Sequence, residues 1–269
     1  MNDITFNPEG SKLRKNQKEV FAIFKIFIKI LEEYDIQWWL CSGTLLGAAR
    51  HKGFVPWDDD MDIMVLREDF DKIAKIMESY KSDEFIFQTK DSDPDFIGGW
   101  GKFRRIHGRV SSKSKRNQYF KYAGIGFDIF PIEKCNYFSA LWGNRLYTLA
   151  QRTNDNIKIT WLRRLMIKIN KIMFFKLIFP IFKVLGKLNV NEEYRNSLGI
   201  GWPQHKYYLK DIFPLTKLEF EGEMFPAPGN FDKFLTNIYG DWRSMPSLEQ
   251  IRNSIHCTEY IDEIFGDNN

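Results

Sequence analysis

Residues 40–66 are LCSGTLLGAARHKGFVPWDDDMDIMVL, a segment in which a basic and then an acidic cluster lie between two apolar runs. Four carboxylates fall within five residues, and like charges this close repel unless they protonate or gather a cation. The run from 60 to 66 has the length and composition of a strand, in which alternate side chains share a face. Asp60 and Asp62 are therefore predicted to point the same way, as a site for Mg²⁺, while Met61 points into the core.

Two other interpretations of the acidic cluster are weaker. Charge runs normally lie in solvated loops, but these carboxylates alternate with apolar residues, which favours a strand. The D-x-D-x-D spacing from Asp58 also resembles the start of a calcium-binding EF-hand loop. That loop requires Gly at its sixth position and Glu at its twelfth, where this chain has Ile63 and Asp69.

Small and basic residues precede the carboxylates. Ser42 and Gly43 open a predicted helix over 44–50, where a phosphate could approach the helix N-terminus closely. An ordinary turn is the alternative for this pair. Three candidate phosphate ligands follow: Arg50, His51 and Lys52. The same cations would also suit a helix C-terminus without any ligand.

Two later segments could complete the site. Asp128 lies in the apolar run GIGFDIFPI (124–132), and a buried carboxylate needs a partner or a metal. It is predicted to share the metal or to accept a proton from an attacking hydroxyl. Lys102 and Arg104, in GKFRR, share one face by strand parity and are candidate phosphate ligands, whereas Arg105 points away.

The order of elements predicts an α+β fold, with a small mixed sheet flanked by helices and a mostly helical, basic second half. The predicted helices cover 11–34, 44–50, 67–80 and 230–239, and the predicted strands cover 36–41, 60–66, 84–89, 99–110 and 124–132, with a hairpin at 217–225. Residues 137–188 are predicted to be helical. The expected organisation is a catalytic core over 11–135, a basic helical region over 136–216, and a C-terminal segment over 217–269 that packs on the core.

Composition argues against nucleic-acid binding, a cysteine-based zinc site and a membrane-spanning helix. The net charge of +4 is too weak to indicate nucleic-acid binding. Three widely spaced cysteines form no CxxC motif and predict reduced thiols without a zinc site. The first ten residues lack the apolar core of a signal peptide, and no long uncharged apolar run predicts a membrane-spanning helix. A cytoplasmic protein is expected.

The run SGTLLGAARHKGFVPWDDDMDI (42–63) strongly resembles the hallmark of the LicD family, which includes bacterial phosphorylcholine transferases and the fukutin-related proteins. GKFRR (101–105) is similar to the family's basic strand. GIGFDIFPIE (124–133) and FEGEMFPAPGNFDKFLTNIYGDW (220–242) are similar to its later acidic and C-terminal signatures. The resemblance covers most of 36–132 and returns at about 218–243.

The resemblance implies a nucleotidyltransferase-like domain in which Asp60, Asp62 and Asp128 bind Mg²⁺, with Mn²⁺ as an alternative. It implies transfer of phosphocholine or a polyol phosphate from a CDP-activated donor, with CDP-choline first, to a sugar hydroxyl of a glycan such as lipopolysaccharide or teichoic acid. CMP would be released. A nucleotidyltransferase that releases pyrophosphate, a glycosyltransferase and a non-catalytic binding module remain as alternatives, since carboxylates of this kind would serve either enzyme.

Three features stay open at this level. The segment 161–187 carries seven Lys or Arg and no acidic residue, so it is either an element lying on an anionic membrane near a lipid-linked acceptor or a buried helical subdomain divided by Pro180. Candidate aromatic contacts for a quaternary ammonium are Trp38, Trp39, Trp57, Trp100 and Trp202, any of which could instead be core. His107, His205 and His256 are interpreted as surface or core residues without a role as ligands.

Overall fold

The centre of the fold is a parallel pair of strands, β2 (Asp62–Leu66) and β5 (Gly126–Lys134). They lie in a mixed sheet in a computed structural model that describes residues 6–113, 115–188 and 192–265. Strand order is β1-β2-β5-β4-β3, and all pairs except β2–β5 are antiparallel. The outer strands on this path are β1 (Trp39–Leu40), β4 (Gly101–Arg105) and β3 (Phe85–Gln88).

Helix α1 (Lys12–Glu33) covers one face of this sheet. Ser11 caps it by accepting a hydrogen bond from the Arg14 N–H. Its apolar residues recur every three or four positions, so they form one buried stripe, and Phe27 packs on Phe103 of β4 at a ring distance of 4.8 Å. The predicted helices at the start of the chain and at 67–80 are confirmed as α1 and α3 (Arg67–Ser79).

The remaining elements follow in chain order. They are α2 (Ser42–His51), a 3₁₀ turn (Lys115–Tyr119), α4 (Tyr137–Asp155), α5 (Thr160–Lys171), a π-helical segment (Ile172–Ile178), α6 (Phe179–Gly186), β6 (Glu193–Asn196), β7 (Tyr207–Tyr208), α7 (Leu209–Ile212), β8 (Thr216–Phe220), β9 (Glu223–Ala227), α8 (Phe231–Tyr239), α9 (Leu248–Ser254) and α10 (Thr258–Phe265).

The predicted strand positions are right but several bounds differ. The strand predicted over 36–41 shortens to the two residues of β1, and the strand predicted from residue 60 begins at Asp62, so Asp60 precedes it. The region 136–216 also contains strands, because β6 pairs with β5 and β7 pairs with β6. It therefore extends the main sheet in addition to supplying helices.

The helical prediction for 137–188 is confirmed, with one correction. Pro180 does not divide the second helix, because it directly follows a π-helical segment, where the usual i→i−4 hydrogen-bond pattern is already replaced. The π-helical segment joins α5 to α6, so the chain stays helical from 160 to 186. Among the residues that the structure describes, no helix is long and apolar enough to cross a membrane.

The C-terminal part packs back onto the first half of the chain. Hairpin β8–β9 contributes Phe220 and Phe225 to the main core, where both contact Phe21 of α1. Helices α9 and α10, which were not predicted, form a second buried cluster with Leu13 and Trp57. The three cysteines are buried free thiols. Residues 1–5, the beginning of the polar N-terminal segment, and 266–269 lie outside the described ranges.

Candidate active site

Three charged side chains line up across three neighbouring strands. In the parallel pair, Asp62 of β2 is the register partner of Asp128 of β5, and in the antiparallel pair Asp128 is the partner of Lys102 of β4. Register partners share a face of the sheet, so all three point to the same side. Lys102 Nζ forms an ion pair with Asp128 Oδ1. This row forms the floor of an open cavity of about 1330 Å³.

The acidic loop that leads into β2 is held by buried amides on α1. The side chain of Asn16 donates to the Asp59 carbonyl at 2.7 Å, and that of Gln17 donates to the Asp58 carbonyl at 2.8 Å. Both side chains are buried, so these hydrogen bonds lie in a weakly screened environment. The loop therefore has a fixed path, and Asp60 reaches the same cavity as Asp62 without belonging to the strand.

The start of α2 lies over the acidic loop. The Asp62 N–H donates to Thr44 Oγ1 at 2.8 Å, which ties the first turn of α2 to the start of β2. Gly43 was predicted to admit a phosphate. The structure shows a different reason why this position requires glycine: a Cβ here would collide with the carboxylate of Asp58. Ser42 and Gly43 also line the cavity.

The buried carboxylates of the cavity shift one another's pKa values. Burial, followed by the charges of Asp60 and Asp128, raises the pKa of Asp62 well above its usual range. Burial and the charge of Asp60 likewise raise the pKa of Asp58. Burial also opposes ionisation of Asp60, but hydrogen bonding and charge from His256 outweigh it and lower the pKa of Asp60. The cavity floor thus has a shortage of positive charge.

His256 was interpreted as a lone histidine, and this interpretation is wrong. Its Nδ1 lies 3.2 Å from Asp60 Oδ2 and 3.4 Å from Asp59 Oδ1. The ligand atoms of His256, Asp59 and Asp60 all lie within 4.8 Å of one another, so these three could hold a metal ion. Among the described residues, the three predicted ligands Asp60, Asp62 and Asp128 do not converge as closely.

The predicted basic ligands divide into two groups. Lys102, Arg104 and Arg50 line the cavity, whereas His51 and Lys52 do not. The Arg50 guanidinium donates to the carbonyls of Trp242 and Ser244 at 3.0 and 3.2 Å. His51 packs beside Trp57, and the exposed ammonium of Lys52 pairs with Glu219 at 3.2 Å.

Arg104 is buried beneath the cavity wall. It lies across Gly126, the register partner without a side chain, and donates to Gln88 Oε1 at 2.9 Å and to the Tyr122 carbonyl at 3.0 Å. Its Nε is buried and has no hydrogen-bond acceptor among the described residues. Arg105 points away, as parity predicted, and pairs with Glu19 at 2.8 Å.

The tryptophans also separate into two groups. Trp38 and Trp39 are core residues, while Trp57, Trp100 and Trp202 line the cavity. Phe130, two positions after Asp128 and on the same side of β5, lies 6.2 Å from Trp100 and 6.3 Å from Trp202 between ring centres. The cavity therefore has an aromatic corner, formed by Trp100, Phe130 and Trp202, beside its carboxylates.

Several lining residues were not predicted as site residues. Arg116, from the 3₁₀ turn, reaches the cavity and pairs with Asp155 at 2.7 Å. His205 stacks beside Trp202 at the aromatic corner. Lys113 comes from a loop outside every quoted motif, whereas Tyr239 lies in the C-terminal signature 220–242 but was not predicted as a site residue.

The residues present fit a hard divalent cation. Carboxylate oxygens are the ligands that Mg²⁺ prefers, and Asp58, Asp60, Asp62 and Asp128 all face this cavity. Asp128 Oδ1 is buried and forms an ion pair with Lys102. A cation would supply the charge that this floor lacks.

Comparison with known proteins identifies relatives of this chain. The chain is 27% identical over 252 residues to the lipopolysaccharide cholinephosphotransferase LicD of Haemophilus influenzae, covering 88% of this chain and 93% of that protein. It is 36% identical over 133 residues to an uncharacterised protein of Rickettsia prowazekii, covering 46% of this chain and 49% of that one. A shorter match of 42 residues, 45% identical, links it to human ribitol 5-phosphate transferase FKRP, covering 16% and 8% of the two chains.

A family model for the nucleotidyltransferase domain shared by LicD, FKTN and FKRP matches residues 35–181. The matched segment contains the acidic loop, the parallel pair β2–β5 and the basic strand β4. This protein therefore belongs to the LicD/FKTN/FKRP nucleotidyltransferase-domain family.

Proposed function

We propose that this protein is a phosphotransferase that moves a phosphorylated alcohol from a CDP-activated donor to a sugar hydroxyl of a cell-surface glycan and releases CMP. The observation that carries the proposal is the in-register pair Asp62 and Asp128, set beside Asp60 on a cavity floor where burial and neighbouring carboxylates raise the pKa of Asp62. Membership in the family supports the reaction class, since two relatives are named for transfer of phosphocholine and of ribitol 5-phosphate.

Asp60, Asp62 and Asp128 would hold Mg²⁺, with Mn²⁺ as the alternative. When bound, the ion supplies positive charge that stabilises phosphate oxygens and the departing nucleotide. Asp59 and His256 lie close enough to Asp60 to fix its orientation or to join the ligand set.

Basic side chains around the floor would position the donor. Lys102 lies beside Asp128 and offers an ammonium to a phosphate oxygen. Arg50 lines the cavity with its guanidinium already oriented by two carbonyls, so a donor oxygen would meet a preorganised cation. Asp128 either ligates the metal or accepts the proton of the attacking hydroxyl.

The aromatic corner supports phosphocholine over a polyol phosphate. Trp100, Phe130 and Trp202 line the cavity, and Phe130 lies two positions from Asp128 on the same side of β5. A quaternary ammonium binds favourably to aromatic faces, whereas a polyol would require hydrogen-bonding groups. We therefore place CDP-choline first among the donors.

A donor panel tests the proposal. Purified protein with Mg²⁺ would be offered CDP-choline, CDP-ribitol, CDP-glycerol, CTP and UDP-sugars, and the nucleotide products would be followed. We expect CMP from a CDP-alcohol, with the signal lost in EDTA and in Asp62→Ala. The matched control is Asp71→Asn on α3, an exposed carboxylate paired with Arg67, which should keep the wild-type rate.

The alternative function is a nucleotidyltransferase that adds a nucleoside monophosphate to a small molecule, since similar carboxylates would serve it. Pyrophosphate released from CTP, with every CDP-alcohol inert, would establish that alternative. A nucleoside diphosphate released from a UDP-sugar would instead indicate glycosyl transfer. Full activity of Asp62→Ala in either case would remove the assigned metal site.

A further inference from the structure

Helix α4 carries an apolar stripe that is exposed in the described structure. Phe138, Trp142, Leu146 and Leu149 recur at spacings of four, four and three residues and are 41 to 64% exposed. This spacing places them on one side of the helix. The opposite side of α4, which includes Tyr147, is buried against the rest of the protein, so the stripe faces outward.

A second stripe runs along the helical chain from α5 through α6. Trp161, Leu165, Ile169 and Ile172 are exposed at spacings of four, four and three, and Leu177 and Ile181 continue the series. The step of five residues from Ile172 to Leu177 falls within the π-helical segment, whose wider turn keeps the stripe in phase. The buried residues Ile167, Phe174 and Phe179 lie on the other side.

The two stripes lie on helices that share one buried cluster. The cluster beneath them joins Tyr147 of α4 with Ile167, Phe174 and Phe179 of the second helical run, and it packs on the core through Ile97 and Leu198. Ten exposed apolar side chains on two neighbouring helical runs are more than the scattered single residues of an ordinary surface, and such concentrations mark interaction sites.

The charge of this region indicates what kind of partner binds to the exposed stripes. Residues 137–188 contain ten Lys or Arg and one acidic residue, Asp155, so the rest of a chain with net charge +4 is net negative. Exposed cations are interspersed with the stripes, namely Arg145, Arg152, Lys158, Lys168, Lys176 and Lys187. A helix pair with an apolar outer side among basic residues is the pattern of an element that lies in the interface of an anionic bilayer.

We propose that the outward face of α4, α5 and α6, with its intervening π-helical segment, binds the surface of an anionic lipid bilayer. The apolar side chains enter the boundary between headgroups and acyl chains, and the surrounding lysines and arginines contact lipid phosphates. The 3₁₀ turn connects this face to the cavity, because Arg116 lines the cavity and pairs with Asp155 at the end of α4. The bound protein would thus hold its cavity beside the membrane, where a lipid-linked glycan would be presented.

Vesicle sedimentation tests this surface without any donor or acceptor, so its outcome is independent of the proposed reaction. The full chain would be mixed with phosphatidylcholine vesicles with and without phosphatidylglycerol, at low and high salt. We expect the protein to sediment with the phosphatidylglycerol vesicles at low salt and at least about tenfold less without phosphatidylglycerol or at high salt.

Two sets of variants separate the contributions of apolar and basic side chains to vesicle binding. The triple substitution Trp161→Ser, Leu177→Ser and Ile181→Ser should lower the partition coefficient by about tenfold or more, while Tyr34→Ser, Met224→Ser and Leu248→Ser, at equally exposed sites elsewhere, should not. Likewise, Lys168→Gln, Lys176→Gln and Lys187→Gln should weaken binding, in contrast to Lys15→Gln, Lys29→Gln and Lys75→Gln.

Two results would overturn the proposal. The first is wild-type protein that stays in the supernatant with phosphatidylglycerol vesicles at low salt. The second is a stable dimer of the protein alone, seen by light scattering, that becomes monomeric in the Trp161, Leu177 and Ile181 triple variant, because a second copy would then cover this face. Unchanged thermal unfolding of each variant would show that the substitutions act at the surface.

Discussion

At the scale of single residues, Gly43 and Asp58 form the tightest constraint in the cavity wall. A Cβ at position 43 would occupy the space of the Asp58 carboxylate. We expect Gly43→Ala to displace the acidic loop, to lower CMP release by at least about tenfold, and to destabilise the protein by about 1–3 kcal/mol. Thermal unfolding and the donor assay would measure both effects.

A double-mutant cycle gives that prediction its control. In an Asp58→Ala background the collision is absent, so the added Gly43→Ala substitution should cost at least about 1 kcal/mol less stability than it does in the wild type. Equal losses in both backgrounds would mean that Gly43 is required for another reason, such as the approach of a phosphate.

The single residues also show what spacing can predict. The alternation of Asp60, Met61 and Asp62 indicated a shared face for the two carboxylates, and both reach the cavity. His256 was missed because it joins Asp60 from a loop nearly two hundred residues away, and a lone histidine has no spacing to interpret. Lys52 was included among the candidate phosphate ligands because it precedes the acidic cluster in sequence. In the structure it follows the end of α2 and pairs with Glu219 instead.

At the scale of elements, α1 supports the site although none of its residues was predicted to do so. Gln17 is fully buried and donates to the Asp58 carbonyl. We expect Gln17→Ala to lower the free energy of unfolding by about 1–2 kcal/mol, because a buried carbonyl would lose its donor. Lys15→Ala, exposed on the same helix, should change it by less than about 0.5 kcal/mol. Urea unfolding of both variants would decide; equal stabilities would contradict the role given to Gln17.

Helices and strands were predictable from the sequence where the element was long enough for its hydrophobic period to be visible. Helix α1 shows more than five turns of one apolar stripe, and its prediction is confirmed. Strands β6 and β7 have four and two residues, too few for alternation to show, and they exist because β5 extends far enough to pair with them. Pro180 was over-weighted, since the helical run continues through it at the junction of the π-helical segment and α6.

At the scale of the whole molecule, the wall of the cavity is completed by segments from both ends of the chain, including Asn16 and His256. Asp59 accepts a hydrogen bond from the Cys257 N–H at 2.8 Å, so the C-terminal segment stays anchored even when the His256 side chain is removed. We therefore expect His256→Ala to fold normally but to release CMP about 10- to 100-fold more slowly and to require more Mg²⁺ for half its maximal rate.

The matched control for that variant is His107→Ala, an exposed histidine outside the main cavity. It should leave both the rate and the Mg²⁺ requirement unchanged. A His256→Ala protein that matched the wild type in both measurements would show that His256 only covers the cavity. The fold class followed from the sequence, but this closure of the cavity could not, because it depends on how distant segments pack.

The pairing of Asp62 with Asp128 has a consequence for how activity is acquired. Side chains alternate along a strand, so a shift of β5 by a single residue would turn Asp128 to the opposite side of the sheet. No local segment can assemble the three-residue row by itself. A refolding chain would thus remain inactive until strands that are 66 residues apart have found one register, and recovery of CMP release would report that event directly.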